Sequence, residues 1–331
     1  MPKKFLILQT AFLGDVVLAT PLIERLKATY PDATIDFLAR KGNESLLLHH
    51  PYLRHVWCFD KKHKIKSMWA LIRKLRRERY DLLLNLHRFA SSGLIAICAG
   101  AQQTHGFSKN PFSFAYTRRF AHSIDYLLPN APHEVARNLS LLEGWADTAF
   151  TPPRLYPPAD AANGAPSAPY ICMAPTSVWF TKQWPAEKWI ALIQQIPDSL
   201  QVVLLGAPGD FETCEKIRYA SQHPQVLNMA GKLSLLESAA WMRGARMNYA
   251  NDSAPIHLAS AVDAPITAVF CSTVPGFGFG PLSSKAYMVE TPHPLSCRPC
   301  GLHGFRACPQ GHFRCAMDIQ PEQVLAISRL H

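Results

Sequence analysis

The sequence predicts an α/β protein of two Rossmann-like, doubly wound domains. Three observations lead there. Short apolar runs rich in branched residues alternate with stretches of helical period, the pattern of βαβ units around a mostly parallel sheet. A proline-rich stretch, residues 151–169 (TPPRLYPPADAANGAPSAP), has little to bury and reads as a linker between two such series. The 331 residues are about twice an ordinary domain. The expected division is therefore 1–158 and 159–331.

In the first half, strands are expected at residues 5–9, 33–39, 56–59, 81–86 and 104–106, with helices over about 16–29 and 66–79. The second series places strands at 170–174, 201–205, 226–229, 246–249, 265–270 and 286–289. A last helix, 321–330, opens on Pro321 with Glu322 beside it, a good helix start. That helix either packs on its own domain or returns to the first.

Composition narrows the function. With 48% hydrophobic and 18% charged residues, the chain is globular rather than disordered or collagen-like. No apolar run approaches the roughly 18 residues that span a bilayer; the best candidate is 89–101. Gln9 and Asp15 interrupt the apolar start and no small-x-small site closes it, so it reads as a buried strand and loop rather than an export signal. Nine cysteines, an odd count, then suggest a reducing compartment, the cytoplasm. Residues 1–158 hold 22 of the 34 Lys and Arg against 12 acidic residues, whereas 159–331 hold 12 of each. This one-sided basic field calls for an anionic partner on the first half: nucleic acid, a phosphorylated glycolipid or an acidic membrane surface.

Three loops carry candidate chemistry, each following a strand and opening a helix, where open parallel sheets bind ligands. In the first, Thr10 to Val17, Gly14 allows close approach of a ligand to the backbone, and Asp15 either faces the cleft or simply caps the helix. Three glycines in Rossmann spacing are absent, which lowers a dinucleotide oxidoreductase reading. The second runs from Pro175 to Pro185. Ser177, Thr181 and Lys182 form an anion site there or a solvated capping turn. In the third, Tyr249 to Ala259, Asp252 can accept bonds from sugar hydroxyls, and Ser253 and His257 lie within reach of the same ligand; a lone His on such a face is otherwise a core residue. Residues 61–79 hold nine Lys or Arg and one acidic residue, with Met68, Leu71, Ile72 and Leu75 at helical spacing. This is an amphipathic helix whose basic face either meets lipid phosphates or is plainly solvated. The glycine-rich stretch 275–281 lacks a phosphate-loop ending and reads as a mobile or closely packed loop.

Together, Phe12-Leu13-Gly14-Asp15 with Thr20-Pro21, His133-Glu134-Val135-Ala136-Arg137-Asn138-Leu139, Thr181-Lys182-Gln183-Trp184-Pro185, and Asn251-Asp252-Ser253-Ala254-Pro255-Ile256-His257 with Pro281-Leu282 resemble the ADP-heptose:lipopolysaccharide heptosyltransferases. The resemblance covers nearly the whole chain, in order. It implies a GT-B fold with two Rossmann-like domains facing a central cleft, acceptor on the first and nucleotide-sugar on the second. It also implies inversion at the anomeric carbon and no cofactor for catalysis. Under that resemblance Asp15 is the catalytic base, and the donor is held by Gly14, Ser177, Thr181, Lys182, Asp252, Ser253 and His257. Lys64, Arg88, Arg118 and Arg119 are the candidate contacts to an anionic lipid A–Kdo acceptor, reached peripherally at the inner face of the inner membrane. Ala254 departs from the Gly of many members, its extra methyl slightly tightening that turn.

Cys297, Cys300, Cys308 and Cys315, with His303 and His312 among them, have the density of a metal knuckle. Structural zinc or iron, disulfides and plain thiols all remain open; heptosyltransferases that modify autotransporters resemble this in carrying a metal-binding cysteine motif. Two other functions stand beside the main one. One is a GT-B glycosyltransferase with a different nucleotide-sugar or a protein acceptor. The other is a basic nucleic-acid-binding protein, disfavoured because Trp69 is the sole aromatic residue within the basic run and the cysteine-bearing half is neutral.

Overall fold

The structure, a computed structural model, describes residues 2–60, 64–128 and 131–328, and of 64–66 the backbone alone. It divides into two units, Met1–Ile124 with Pro132–Tyr156, and Asp125–Ala131 with Pro157–His331. The first unit runs β1 (Lys4–Gln9), α1 (Leu13–Val17), α2 (Thr20–Thr29), β2 (Thr34–Arg40), β3 (Leu53–Phe59), α3 (Lys64–Glu78), β4 (Leu82–Asn85), α4 (Ala90–Cys98), β5 (Gln103–Phe107), β6 (Arg118–Phe120) and α5 (Glu134–Leu139). The second runs β7 (Tyr170–Ala174), α6 (Ala186–Ile193), β8 (Gln201–Leu204), α7 (Phe211–Ser221), β9 (Val226–Asn228), α8 (Leu235–Gly244), β10 (Asn248–Asn251), α9 (Ala254–Ala261), β11 (Ile266–Phe270), β12 (Ala286–Glu290), α10 (Arg314–Met317) and α11 (Pro321–Ser328).

Each unit holds a six-stranded sheet, in order β3-β2-β1-β4-β5-β6 and β12-β11-β10-β7-β8-β9. Every pairing is parallel. Numbered from its own first strand, the second sheet repeats the winding of the first. Both therefore reverse direction beside their first strand, between β1 and β4 and between β7 and β10. That reversal opens a crevice at the carboxyl ends of those strands.

The strands read as continuous apolar runs because helices cover both faces. Phe5 to Leu8 and Leu82 to Leu84 are wholly buried. Met68, Leu71, Ile72 and Leu75 of α3 join Leu6, Leu8 and Leu83 in one cluster, each such burial contributing about 1.5–3 kcal/mol. In the second unit the indoles of Trp184 and Trp189 meet edge-on, 5.1 Å between centroids, in a core with Ile171, Val202 and Val269.

Several elements differ from expectation for identifiable reasons. The helix expected over 16–29 is two helices. Pro21 has no N–H to continue α1, so the helix stops at Leu18 and restarts at Thr20. Side chains take up two of the backbone carbonyls there: Thr20 Oγ1 donates to Val17 O at 2.8 Å, and Asn138 Nδ2 to Leu18 O at 3.1 Å. The apolar stretch 89–101 holds α4, nine residues long, and no described helix is long and apolar enough to cross a membrane. Strand β6 was not expected; it is a three-residue edge strand with a single apolar residue, Phe120.

The proline-rich stretch is not a loose tether. Its start is strapped to the first unit, with Arg154 N donating to Thr20 Oγ1 (2.9 Å), Tyr156 OH to Glu24 Oε1 (2.8 Å) and Leu155 buried. Residues Ala159–Ala162 form a 3-10 turn packed on α8. The units change at Tyr156 and Pro157, and the short segment Asp125–Ala131 belongs with the second unit. Helix α11 packs on α6, β11 and β12 of the second unit.

Candidate functional site

In the first unit, β1 runs directly into α1 at the switch point. Phe12 is the N-cap, and Asp15, third in the helix, accepts a hydrogen bond from Phe12 N at 3.0 Å. The capping role is therefore real. It does not exhaust the residue, because burial and the nearby Glu134 carboxylate push its pKa from 3.8 up to about 6, against the backbone N–H donors and Arg88. A carboxylate so placed binds a proton readily near neutrality, which is the property of a general base. From the neighbouring strand, β4, come His87 and Arg88. His87 Nδ1 lies 3.1 Å from Thr10 Oγ1, and the Arg88 guanidinium sits 5.4 Å from the Phe89 ring.

The expected acceptor residues separate. Arg88 belongs with Asp15. Arg118 does not: it begins β6, pairs with Glu143 at 2.6 Å, and lines a cavity of about 370 Å³ with Lys3, Gln103, His105 and Trp145. Lys3 and Gln103 precede or open their strands, so this cavity is at the amino end of the sheet, opposite Asp15. Arg119 is exposed on the edge strand β6, three strand spacings from β1. The Lys64 side chain lies outside the described residues. Gly14 is buried within α1, one residue before Asp15.

In the second unit, the loop after β7 and the end of β10 are stitched together by Asn251. Its Nδ2 donates to Pro175 O and its Oδ1 accepts from Trp184 N, both at 2.8 Å. Trp184 is an anchor, its Nε1 donating to Ile319 O at 3.3 Å, and Gln183 Nε2 donates to Ser177 O at 2.6 Å. The stretch from Thr181 to Pro185 thus holds Lys182 at a set place. Lys182 Nζ stands 2.7 Å from Asp252 Oδ2, which also accepts from Thr273 Oγ1 at 2.6 Å. Lysine and aspartate, expected to meet phosphate and sugar separately, are partners at the crevice beside the amino end of α9. The helix dipole there favours anions. Ser253 is the N-cap of α9, and His257 is buried within that helix.

Thr181 requires a correction as a phosphate ligand. It is 1% exposed, and its hydroxyl accepts from Phe305 N at 2.7 Å and meets Ser272 Oγ at 3.0 Å. Gly304 passes so close, at φ +75°, that a Cβ there would fall 2.7 Å from Thr181 Oγ1. Thr181 fastens the loop after β7 to the cysteine-bearing segment. Arg298, in Cys297-Arg298-Pro299-Cys300, fastens the same segment to the end of β11 and to β12, donating to the carbonyls of Phe270, Cys271 and Thr273 and pairing with Glu290 at 2.6 Å.

Cys300 and Cys315 feel the other thiols of the cluster. Burial first, then neighbouring cysteines, raises both, Cys315 to about 12. Cys297 Sγ lies 3.9 Å from His312 Nε2. Four sulfur donors suit zinc or iron chemically, but among the described residues no three His, Cys, Asp or Glu side chains are arranged to hold a metal ion.

The sequence model of glycosyltransferase family 9 (heptosyltransferase) matches residues 68–302, more than half of the chain. The chain belongs to that family. This family 9 glycosyltransferase is 28% identical over 280 residues to lipopolysaccharide heptosyltransferase 3 of Escherichia coli, spanning 79% of this chain and 82% of the relative. Its fold matches the structure of E. coli ADP-heptose lps heptosyltransferase II with a TM-score of 0.80 at 24% identity, covering 98% and 97% of the two chains. It also matches E. coli heptosyltransferase WaaC with ADP, with a TM-score of 0.76 at 20% identity over 98% and 99%. The fold is thus that of the GT-B heptosyltransferases.

Residues not assigned from sequence include Asn251, Thr273, Ser272, Arg298, Thr10 and His87. Asn251 stood inside a quoted motif, where a polar residue ending an apolar strand was the available signal. Arg298 and Thr273 gave none, since their partners, three backbone carbonyls and Glu290 for Arg298 and the Asp252 carboxylate for Thr273, are set by where the chain returns.

Proposed function

We propose that this family 9 enzyme transfers a heptose from ADP-heptose to the inner core of lipopolysaccharide, a heptose- or Kdo-lipid A acceptor, with inversion. The observation that carries this reading is the placement of reactive groups at equivalent switch points of two identically wound sheets: Asp15 in one, the Lys182–Asp252 pair in the other. Asp15 takes the proton of the acceptor hydroxyl as its oxygen bonds to the anomeric carbon. The bond from that carbon to the ADP oxygen breaks, and the electron pair leaves with ADP. Lys182 neutralises the diphosphate; Asp252 and Ser253 orient the sugar, and Ser177 and His257 complete the donor side. Gly14 keeps the approach to Asp15 close, and Arg88 meets acceptor anions.

The 22 basic residues of the first half support peripheral attachment to an anionic membrane from the cytoplasmic side. Cys297, Cys300, Cys308 and Cys315 are read as a structural site for zinc or iron on donor chemistry alone. Stoichiometric metal that survives dialysis supports it; metal-free, fully active protein removes it. The test of the main reading is a thermal-shift panel of ADP-, UDP- and GDP-sugars followed by transfer to purified core acceptors. Stabilisation by ADP-heptose above the others, with transfer, is expected; equal stabilisation by a UDP-sugar overturns the donor.

A further inference from the structure

Glu134 opens α5 and is 6% exposed. A buried carboxylate must be paired, and this one is: His122 Nε2 lies 3.1 Å from both its oxygens, and Arg137 Nε donates to Oε2 at 2.7 Å. His122 is itself seated against the Phe107 ring, at 4.6 Å. The helix carrying Glu134 is fixed to the segment carrying Asp15, since Asn138 of α5 bonds Leu18 O just past the end of α1. The constellation is costly, yet none of its members is a reacting group in the mechanism above. We propose that Glu134, pinned between His122 and Arg137, is a positioning residue that makes Asp15 a competent proton acceptor.

The physical argument is a division of labour between two carboxyls. Burial alone would raise Glu134, but the bonds and charges of His122 and Arg137 outweigh it and hold its pKa below 4.5. Glu134 therefore keeps its charge while Asp15 titrates. That standing negative charge opposes ionisation of Asp15 and adds to the effect of burial; Arg88, the other charge that acts on Asp15, works the opposite way. Without Glu134 that opposition is lost, and Asp15 becomes a weaker base.

The inference rests on Asp15 being the base, so its test reads Asp15 both directly and through catalysis. In ¹³C-carboxyl-labelled wild-type enzyme, with the Asp15 resonance assigned through Asp15→Asn, the Glu134 resonance is expected to inflect a second time at the Asp15 midpoint. In Glu134→Gln the Asp15 midpoint should fall by roughly half a pH unit or more. The acidic limb of kcat/KM should move down by the same amount, with the dissociation constant of ADP unchanged and Glu134→Asp restoring most of the shift. A Glu134 resonance without the second inflection, or an unmoved Asp15 midpoint in folded Glu134→Gln, overturns the proposal. A moved midpoint with an unmoved acidic limb supports the coupling and removes Asp15 as the base.

Discussion

At the scale of single residues, the burial of Asp15 costs stability at neutral pH. Its folded-state pKa, about 6, lies above its ordinary 3.8, so folding favours the protonated form. The sign follows: the fold is least burdened below about pH 4, and stability is lost as pH rises from about 4 to 6. Asp15→Asn keeps the shape without the buried charge. It should be more stable than the wild type at pH 7 by about 1–3 kcal/mol, the difference vanishing below pH 4, as urea denaturation at the two pH values will show. The same variant should lose heptose transfer while binding ADP as before, checked by calorimetry; parallel loss of both would make Asp15 structural. In the wild type, kcat/KM should fall about tenfold per pH unit below about 6 as the base is protonated.

At the scale of elements, strand ends and helix breaks set the site. Asn251 closes β10 and ties it to the loop after β7 through two buried bonds. Asn251→Ala strands a backbone N–H and a carbonyl, so a loss of about 2–4 kcal/mol in unfolding free energy is expected. The loop bearing Lys182 should slacken with it, raising KM for the donor more than it lowers kcat. The break between α1 and α2 has the same logic: Asn138→Ala leaves the Leu18 carbonyl unpartnered in a buried place and should cost about 1–3 kcal/mol, read from the urea midpoint.

At the scale of the molecule, the charge asymmetry sets an expectation for the two proposed substrates. The net positive first half carries Arg73, Lys74, Arg76 and Arg77 exposed on α3, whereas the Lys182–Asp252 pair of the second half is mostly enclosed. Exposed charges are screened by salt and enclosed ones much less. Raising ionic strength should therefore increase KM for a phosphorylated acceptor several-fold and change KM for ADP-heptose little. Equal sensitivity of both would detach the basic half from acceptor capture.

The sequence by itself determined the sheet class, most strand positions and the three candidate loops, because alternation of apolar runs with helical period is local and the candidate side chains sit beside strand ends. The place of Asp15, Lys182 and Asp252 just past strand ends was legible for that reason. Tertiary structure alone decided the rest. Thr181 looked like a phosphate ligand until its hydroxyl was seen spent on Phe305 and Ser272, more than ninety residues away along the chain. Arg118 looked like an acceptor contact until strand direction put it at the far end of the sheet. Lys182 and Asp252 became a pair, and Glu134 a neighbour of Asp15, through contacts between segments seventy or more residues apart. Local pattern encodes which elements form; the partner of a buried charge depends on where the chain returns, and no local pattern carries that.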